Sequence, residues 1–503
     1  MRLASRHLRH LYQLALPLSC ALVGCGNATP STRAIPPLTE SLVLAPQMAR
    51  PAGAPAEPQV AAEAVQARPP LLSEPARFLD HPEALRRFFA TLEDLEKGQR
   101  SEDVRVVQFG DSHTAADYQT GPLRRKLQHR FGDGGRGFIS VGRPWKAYTQ
   151  EGVQLNGMTG WTPERGRFAK GKFLGDGRYG LVGVSIATSQ RGARAYSDLT
   201  AQSARLELAY LEGPHGGSVD LLVDGTRVQR VKTAASEPRS AYVSLDVTEG
   251  PHRFELAAVG DGNVRVFGLA LDRPKIGITL DALGVNGARA GDLLRLGEEH
   301  FSGELRHRAP SLVVLAYGTN ESSDAVPLEV YERQIVDVLG RVARAVPTAS
   351  CLILGPPDRA TKHREIMPAA SGGVAVAQTV WSTPARLIEV AAMERKIAAA
   401  AGCAYFSQLD AMGGPGSIAG WAMEAPPRAM LDRTHLSRQG YSELGEAFAD
   451  ELLRAYDTYR SAAPGRAHAD VQVPQLFPSS PQLLPEMGGA PSTQAQLFPD
   501  VAR

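Results

Sequence analysis

The sequence predicts a three-layer α/β/α fold with a parallel sheet, interrupted by an inserted antiparallel β-sandwich of jelly-roll-like character. Three observations lead there. Short β-rich runs alternate with helix-length amphipathic stretches early in the chain and again over its later half. The intervening stretch instead alternates apolar and polar residues at period two, with Asp-Gly turn signals and no helical pattern. The strand-like runs on either side of it end in polar, glycine-bearing turns. Strands alternating with helices need crossover connections and hence a parallel sheet. Right-handed crossovers then put helices on both faces.

The elements follow in order. Phe78 to Gln99 reads as an amphipathic helix, with Pro82 in its first turn and Leu85, Phe88, Phe89, Leu92 and Leu95 on one face. Val104–Phe109 is a strand that breaks at Gly110-Asp111-Ser112-His113. A helical stripe, Leu123, Leu127 and Phe131, closes at Gly132. From about Trp145 to Arg273, the runs Ala204–Tyr210, Ser218–Val223, Val228–Lys232, Ala241–Val247, Arg253–Val259 and Val264–Leu271 read as antiparallel strands. The strand–helix rhythm then resumes. Strands are expected at Gly277–Leu283, Leu312–Ala316, Cys351–Leu354 and Ala404–Ser407. Helices are expected at Asp292–His300, Leu328–Ala345, Ala385–Ala401 and Arg438–Tyr456. The domain expectation is therefore an α/β domain in two parts, 77–144 and 274–460, around a module at 145–273.

Both ends lie outside that body. Arg2, Arg6 and Arg9 precede an apolar stretch from Leu11 to Val23, too short to span a bilayer and suited to a secretory signal. It ends in Leu22-Val23-Gly24-Cys25, which resembles the lipobox of bacterial lipoproteins. That resemblance implies lipidation of Cys25, a membrane contact through the lipid anchor, and, because Gly26 follows instead of Asp, the outer membrane facing the periplasm. Residues 26–76 are rich in Pro and Ala without aromatic residues, and read as a disordered tether. Residues 461–503 read as a disordered tail with a repeated Gln-Leu-Phe-Pro motif (475–478 and 496–499). Lys and Arg total 55 against 53 Asp and Glu, which argues against a nucleic-acid surface. Cys351 and Cys403 fall in strand-like apolar runs, where two free thiols and one disulfide are both compatible with the pattern. No Cys or His pair near them has zinc spacing.

The chemistry-bearing residues sit at strand ends, where open α/β sheets place ligands. Ser112 would begin a helix with its hydroxyl exposed and its backbone N–H free to meet an oxygen. Asp432-Arg433-Thr434-His435 precedes the last helix. An Asp three residues before a His can hold one imidazole nitrogen and leave the other for Ser112. Asn320, in Gly318-Thr319-Asn320-Glu321, and Gly287, in Val285-Asn286-Gly287-Ala288, follow two neighbouring strands. In this order Ser112, Gly287, Asn320 and His435 resemble the four blocks of the SGNH hydrolases, the superfamily that includes the GDSL esterases. The resemblance spans residues of about 100–140 and 275–460. It implies the SGNH fold, a Ser112–His435–Asp432 triad and an oxyanion hole from Ser112, Gly287 and Asn320.

The first block carries His113 and leads into Phe131-Gly132-Asp133-Gly134-Gly135-Arg136-Gly137-Phe138 and then the β insert. That combination resembles the peptidoglycan O-acetylesterases of Gram-negative envelopes, which carry a carbohydrate-binding-like β-module. The resemblance implies a carbohydrate O-acetylesterase whose partner is an acetylated glycan, with peptidoglycan favoured. Such chemistry requires no metal and no organic cofactor. Asp111 and His113 are expected beside the nucleophile as substrate contacts or as support for the turn, and Trp381 at the rim. Trp145 and Trp161 are expected in the core. Two alternatives share these features: an O-acetyltransferase using the same triad, and a non-catalytic glycan-binding surface lipoprotein.

Overall fold

A strand buried on both faces reads as a continuous apolar run, as Leu312–Ala316 does, and Val104–Gly110 is buried at every residue but Arg105 although it also carries Gln108. They are neighbouring interior strands of a six-stranded sheet. Its strands are β1 (Leu79–Asp80), β2 (Val104–Gly110), β3 (Ile278–Gly284), β4 (Leu312–Ala316), β5 (Ser350–Leu354) and β6 (Ala404–Phe406). The spatial order is β1-β6-β5-β4-β2-β3, parallel throughout except for the β1–β6 pair. The computed structural model describes residues 78–462, apart from 170–171 and 368–375. The expected signal segment with Cys25, the tether, and the tail repeats lie outside the described residues.

Alternation of side chains sends Val104, Val106, Leu312 and Val314 to one face and Val107, Phe109, Val313 and Leu315 to the other. Helices α1 (Arg86–Glu96), α2 (Thr120–Phe131) and α6 (Arg438–Ser461) cover the first face through Phe88, Leu127 and Phe448. Helices α3 (Glu298–Arg308), α4 (Leu328–Ala345) and α5 (Ala385–Ala401) cover the second through Phe301, Ile335 and Ile397. The sheet is thus a three-layer sandwich with the SGNH-hydrolase fold. The chain leaves β2 for β3 in one direction and β3 for β4 in the other, so the order reverses beside β2. This switch point is where such sheets open a crevice.

The β insert forms one hydrogen-bonded antiparallel sheet of nine strands. Its long strands, Arg194–Glu212 and Arg239–Ala258, pair along most of their length with register breaks between Asp246 and His252. The expected runs Ala241–Val247 and Arg253–Val259 are therefore two halves of one bent strand. Both halves of Arg194–Glu212 line one core, with Ala195 and Leu199 beside Leu206 and Leu208. Gly135–Ile139 pairs with Val264–Asp272 and joins this sheet. The sheet rests on α3, where the Tyr242 and His307 rings stack 3.4 Å apart and the Tyr242 hydroxyl donates to Glu304 at 2.9 Å.

Three other elements differ from expectation. The first helix starts later than expected, because Leu79 and Asp80 pair with Phe406 and Tyr405 as an edge strand; a 3₁₀ turn opened by Pro82, Pro82–Leu85, then leads into the α-helix at Arg86. The helix expected over Asp292–His300 is broken into a 3₁₀ turn, Ala290–Arg295, and α3. At the break the Gly297 N–H donates to Gly177 of the insert at 3.0 Å, so a tertiary contact overrides the helical pattern. The loop between β5 and α5 contains a hairpin, Thr361–Met367 with Val376–Ser382. Cys351 and Cys403 are joined in a disulfide between β5 and the start of β6.

Candidate active site

The turn after β2 is built by close approach. A Cβ on Gly110 would collide with Thr114 and with the Ala316 carbonyl, so only glycine lets the chain turn there against β4. Asp111 caps the short helix Ser112–Ala115, its Oδ1 accepting the His113 N–H at 2.9 Å. Burial pushes the Asp111 carboxyl up to about 7, against the pull of that bond and of His435. Ser112 begins the helix, half-buried.

The Ser112 Oγ lies 3.0 Å from Nε2 of His435, and His435 Nδ1 lies 2.8 Å from Asp432 Oδ2. The other carboxylate oxygen accepts the backbone N–H groups of Thr434 at 2.9 Å and His435 at 3.0 Å. This spacing suits Nδ1 as the protonated nitrogen, which leaves Nε2 to accept from the serine hydroxyl. Burial acts to raise the Asp432 carboxyl. The bonds from the His435 ring and from the two backbone N–H groups outweigh it and hold the carboxyl below its ordinary range. The loop is pinned by Met430 N–H to the His435 carbonyl and by Ala360 N–H to the Arg433 carbonyl, both at 2.8 Å.

Gly287 and Asn320 lie on turns that follow β3 and β4, the two neighbours of β2. Gly287 adopts φ +74°, with open space where a Cβ would stand. The Asn320 amide donates to the Ala288 carbonyl at 2.9 Å and, more weakly, to Asp111 Oδ2 at 3.3 Å. The Asn320 turn is thus brought directly to the Gly-Asp-Ser turn. Gly287 is linked to it through its neighbour Ala288.

Glu321, beside this centre, was not singled out by sequence. Buried Glu321 accepts the Ala290 N–H at 2.9 Å on one oxygen and the Gly318 N–H at 3.0 Å on the other. It staples the Gly287 segment to the Asn320 turn. Burial pushes its carboxyl up to about 8. Its position directly after Asn320 was the available signal. Trp145, expected in the core, is half-buried, and its indole N–H donates to Asn286 at 3.0 Å, next to Gly287. Trp161 is buried in the core of the insert. Trp381, on the second hairpin strand, is covered by the Arg433 guanidinium at 4.1 Å, which places it beside the His435 loop. His113 is buried against His435, with Nδ1 2.9 Å from the Tyr441 hydroxyl of α6. Burial, helped by His435, lowers its pKa to about 3, so it is neutral at physiological pH. Among the described residues no group of three His, Cys, Asp or Glu side chains could hold a metal ion.

The fold that brings hydroxyl, imidazole and carboxylate together at this switch point is that of the SGNH hydrolases. Residues 248–442 match the model of the GDSL-like lipase/acylhydrolase family, a span that includes Gly287, Asn320, Asp432 and His435. Among solved structures, the chain is similar to a peptidoglycan O-acetylesterase captured in action at 5 min, with 24% identity and a TM-score of 0.60. That likeness covers 76% of this chain and 99% of the other, and it is a likeness of fold. A family two carbohydrate esterase from Clostridium thermocellum in complex with cellohexaose aligns at 12% identity and TM-score 0.22, over 54% of this chain and 94% of that one. One from Cellvibrio japonicus aligns at 11% and 0.24, over 64% and 98%. No curated protein matches the sequence.

Proposed function

We propose that the protein is a serine O-acetylesterase that removes acetyl groups from a cell-envelope glycan, with peptidoglycan as the substrate. The observation that carries this reading is the unbroken hydrogen-bond chain from Ser112 through His435 to Asp432, beside two turns able to offer N–H donors. In this reading His435 Nε2 takes the hydroxyl proton as Ser112 Oγ attacks the acetyl carbonyl carbon. The ester C–O bond then breaks, and His435 returns the proton to the departing sugar oxygen. Water next attacks the acetyl-serine, giving its proton to His435, and acetate leaves as Ser112 regains a proton.

Asp432 orients the imidazole and stabilises it when charged. The backbone N–H groups of Ser112 and Gly287, with the Asn320 amide, receive the oxyanion. Asn320 does so by giving up its longer bond, the one to Asp111. Losing one such donor typically costs about 10²–10³ in turnover. The His435 side chain is 42% exposed, which gives water access to the acyl-enzyme.

The choice of glycan follows the peptidoglycan O-acetylesterase to which the chain is similar in fold. The module at 145–273 positions that glycan against the α/β body formed by 77–144 and 274–460. The basic, apolar N-terminus ending at Cys25 supports export as a lipoprotein, anchored by lipid in the outer membrane and facing the periplasm. The Cys351–Cys403 disulfide agrees with an oxidising compartment. A soluble form lacking residues 1–25, assayed on an aryl acetate beside its Ser112→Ala variant, tests the reading. The expected outcome is hydrolysis by the parent and none above background by the variant. Equal hydrolysis by both refutes it.

A further inference from the structure

Most arginines near the sheet edges are matched by carboxylates. Arg124 and Arg136 meet Asp117, Arg289 meets Asp324, and Arg308 meets Asp281. Two at the active-site edge are not. Arg359 lies on the loop that follows β5, at the same end of the sheet as Ser112. Its Nη1 donates to the hydroxyls of Ser322, at 3.2 Å, and Ser323, on the turn just after Asn320. Its Nε is buried without a partner. Arg433 lies between Asp432 and His435 in sequence. It donates to the Leu431 carbonyl at 3.2 Å and reaches the Met423 sulfur at 3.7 Å, and its Nε is also buried without a partner. Neither guanidinium has a carboxylate within ion-pairing distance among the described residues. The Ala360 N–H bond to the Arg433 carbonyl holds the two arginine-bearing loops together. Lys362 adds a third cation, 4.9 Å from the Trp381 ring that Arg433 covers.

A partly buried guanidinium with no counter-charge is costly to keep, and its planar fork matches a carboxylate. Desolvation alone depresses the Arg359 pKa, which a bound anion would reverse. Arg359 is bonded to the turn that follows Asn320 and acts electrostatically on His113, which packs against His435, while Arg433 is borne on the His435 loop itself, so an anion held by these cations lies beside the catalytic turns. We propose that Arg359 and Arg433 form an anion subsite that takes a carboxylate of the substrate and makes the esterase selective for acidic acetylated saccharides. The inference rests on the esterase reading above and narrows its substrate class. In peptidoglycan the carboxylate has two possible sources: the lactyl ether group of muramic acid, or the peptide attached to it.

The test compares kcat/KM on four esters: an aryl acetate, O-acetylated N-acetylglucosamine, O-acetylated N-acetylmuramic acid, and an O-acetylated muramoyl peptide. The wild-type enzyme is expected to favour one or both acidic sugars over the neutral one by about tenfold or more. Salt weakens that preference. Arg359→Gln collapses it, chiefly through KM, and Arg359→Lys restores part of it. Selectivity for the muramic acid ester identifies the lactyl carboxylate, and selectivity for the peptide ester alone identifies the peptide.

A companion measurement needs no variant. Free N-acetylmuramic acid or the muramoyl peptide, whichever source applies, should inhibit aryl acetate hydrolysis at a concentration about tenfold lower than N-acetylglucosamine. Equal kcat/KM on neutral and acidic sugars, equal inhibition, or an equal loss on all four esters in Arg359→Gln overturns the subsite while leaving the esterase standing. Failure of the wild-type enzyme on every ester instead sinks the esterase reading, and the subsite with it.

Discussion

Replacing Asp432 by Asn keeps the size of the side chain and removes one acceptor, so its effect follows from the site's geometry. One carboxylate oxygen holds the His435 Nδ1 at 2.8 Å, and the other takes two backbone N–H groups at 2.9 and 3.0 Å. If the amide oxygen stays on the backbone N–H groups, its NH₂ faces Nδ1. The ring must then carry its proton on Nε2, where it cannot accept from Ser112. If the amide flips, its NH₂ faces two N–H donors that lose their acceptor. Each such loss costs about 1–3 kcal/mol when buried. Asp432 is 51% exposed, so water softens the penalty. A net cost of about 3–4 kcal/mol corresponds to kcat reduced by about 10²–10³. Aryl acetate hydrolysis reads this directly, with KM held within about twofold because Asp432 does not touch substrate. A folded Asp432→Asn protein retaining kcat within fivefold of wild type would refute the orienting role.

The remaining predictions address the scaffold. Glu321→Gln leaves the Gly318 or the Ala290 N–H facing an amide NH₂ and loosens both oxyanion turns. It should lower kcat by about 10–100-fold with little change in KM, and a loss confined to thermal stability would contradict the staple. The folded-state pKa of Asp111 is raised from 3.8 to about 7, so the neutral form is favoured in the folded protein. Its contribution to stability is complete below 3.8 and is lost as pH rises through about 7. The Tm of Asp111→Asn relative to wild type should therefore become more favourable from pH 4 to pH 8, and a pH-independent difference would count against it. Reducing the Cys351–Cys403 bond, which joins residues 52 apart, should destabilise by at most about 4 kcal/mol. That loss should appear as a lower Tm with reductant, whereas an unchanged Tm together with two titratable thiols would show the bond absent.

The sheet and its helices were legible because both periods are strong. Leu328–Ala345 and Ala385–Ala401 match their expected limits, each an uninterrupted amphipathic run entered after a proline. The Ser112 and Asn320 turns were legible because polar, glycine-bearing motifs end apolar strands, and the His435 turn because an Asp stands three residues before a His ahead of the last helix. What escaped depends on contacts distant in sequence. Leu79 and Asp80 look helical until β6 offers them a ladder, and Gly297 ends a helix because the insert supplies an acceptor. The Thr361–Ser382 hairpin carries exposed residues on both strands, so it lacks the half-buried alternation that marks a strand. Trp145 gave no hint of its bond to Asn286, and Arg359 none of its missing counter-charge. An unpaired cation shows only when every neighbour is in place.

Deacetylation of an envelope glycan by Ser112, as proposed above, can be measured on the polymer itself. The most direct measurement is acetate released from O-acetylated peptidoglycan, set beside release from an acetylated plant polysaccharide and repeated with Ser112→Ala. Release from peptidoglycan should exceed that from the plant substrate and be abolished by the substitution. Peptidoglycan acetate release that persists in Ser112→Ala, or none from the wild-type enzyme, would contradict it.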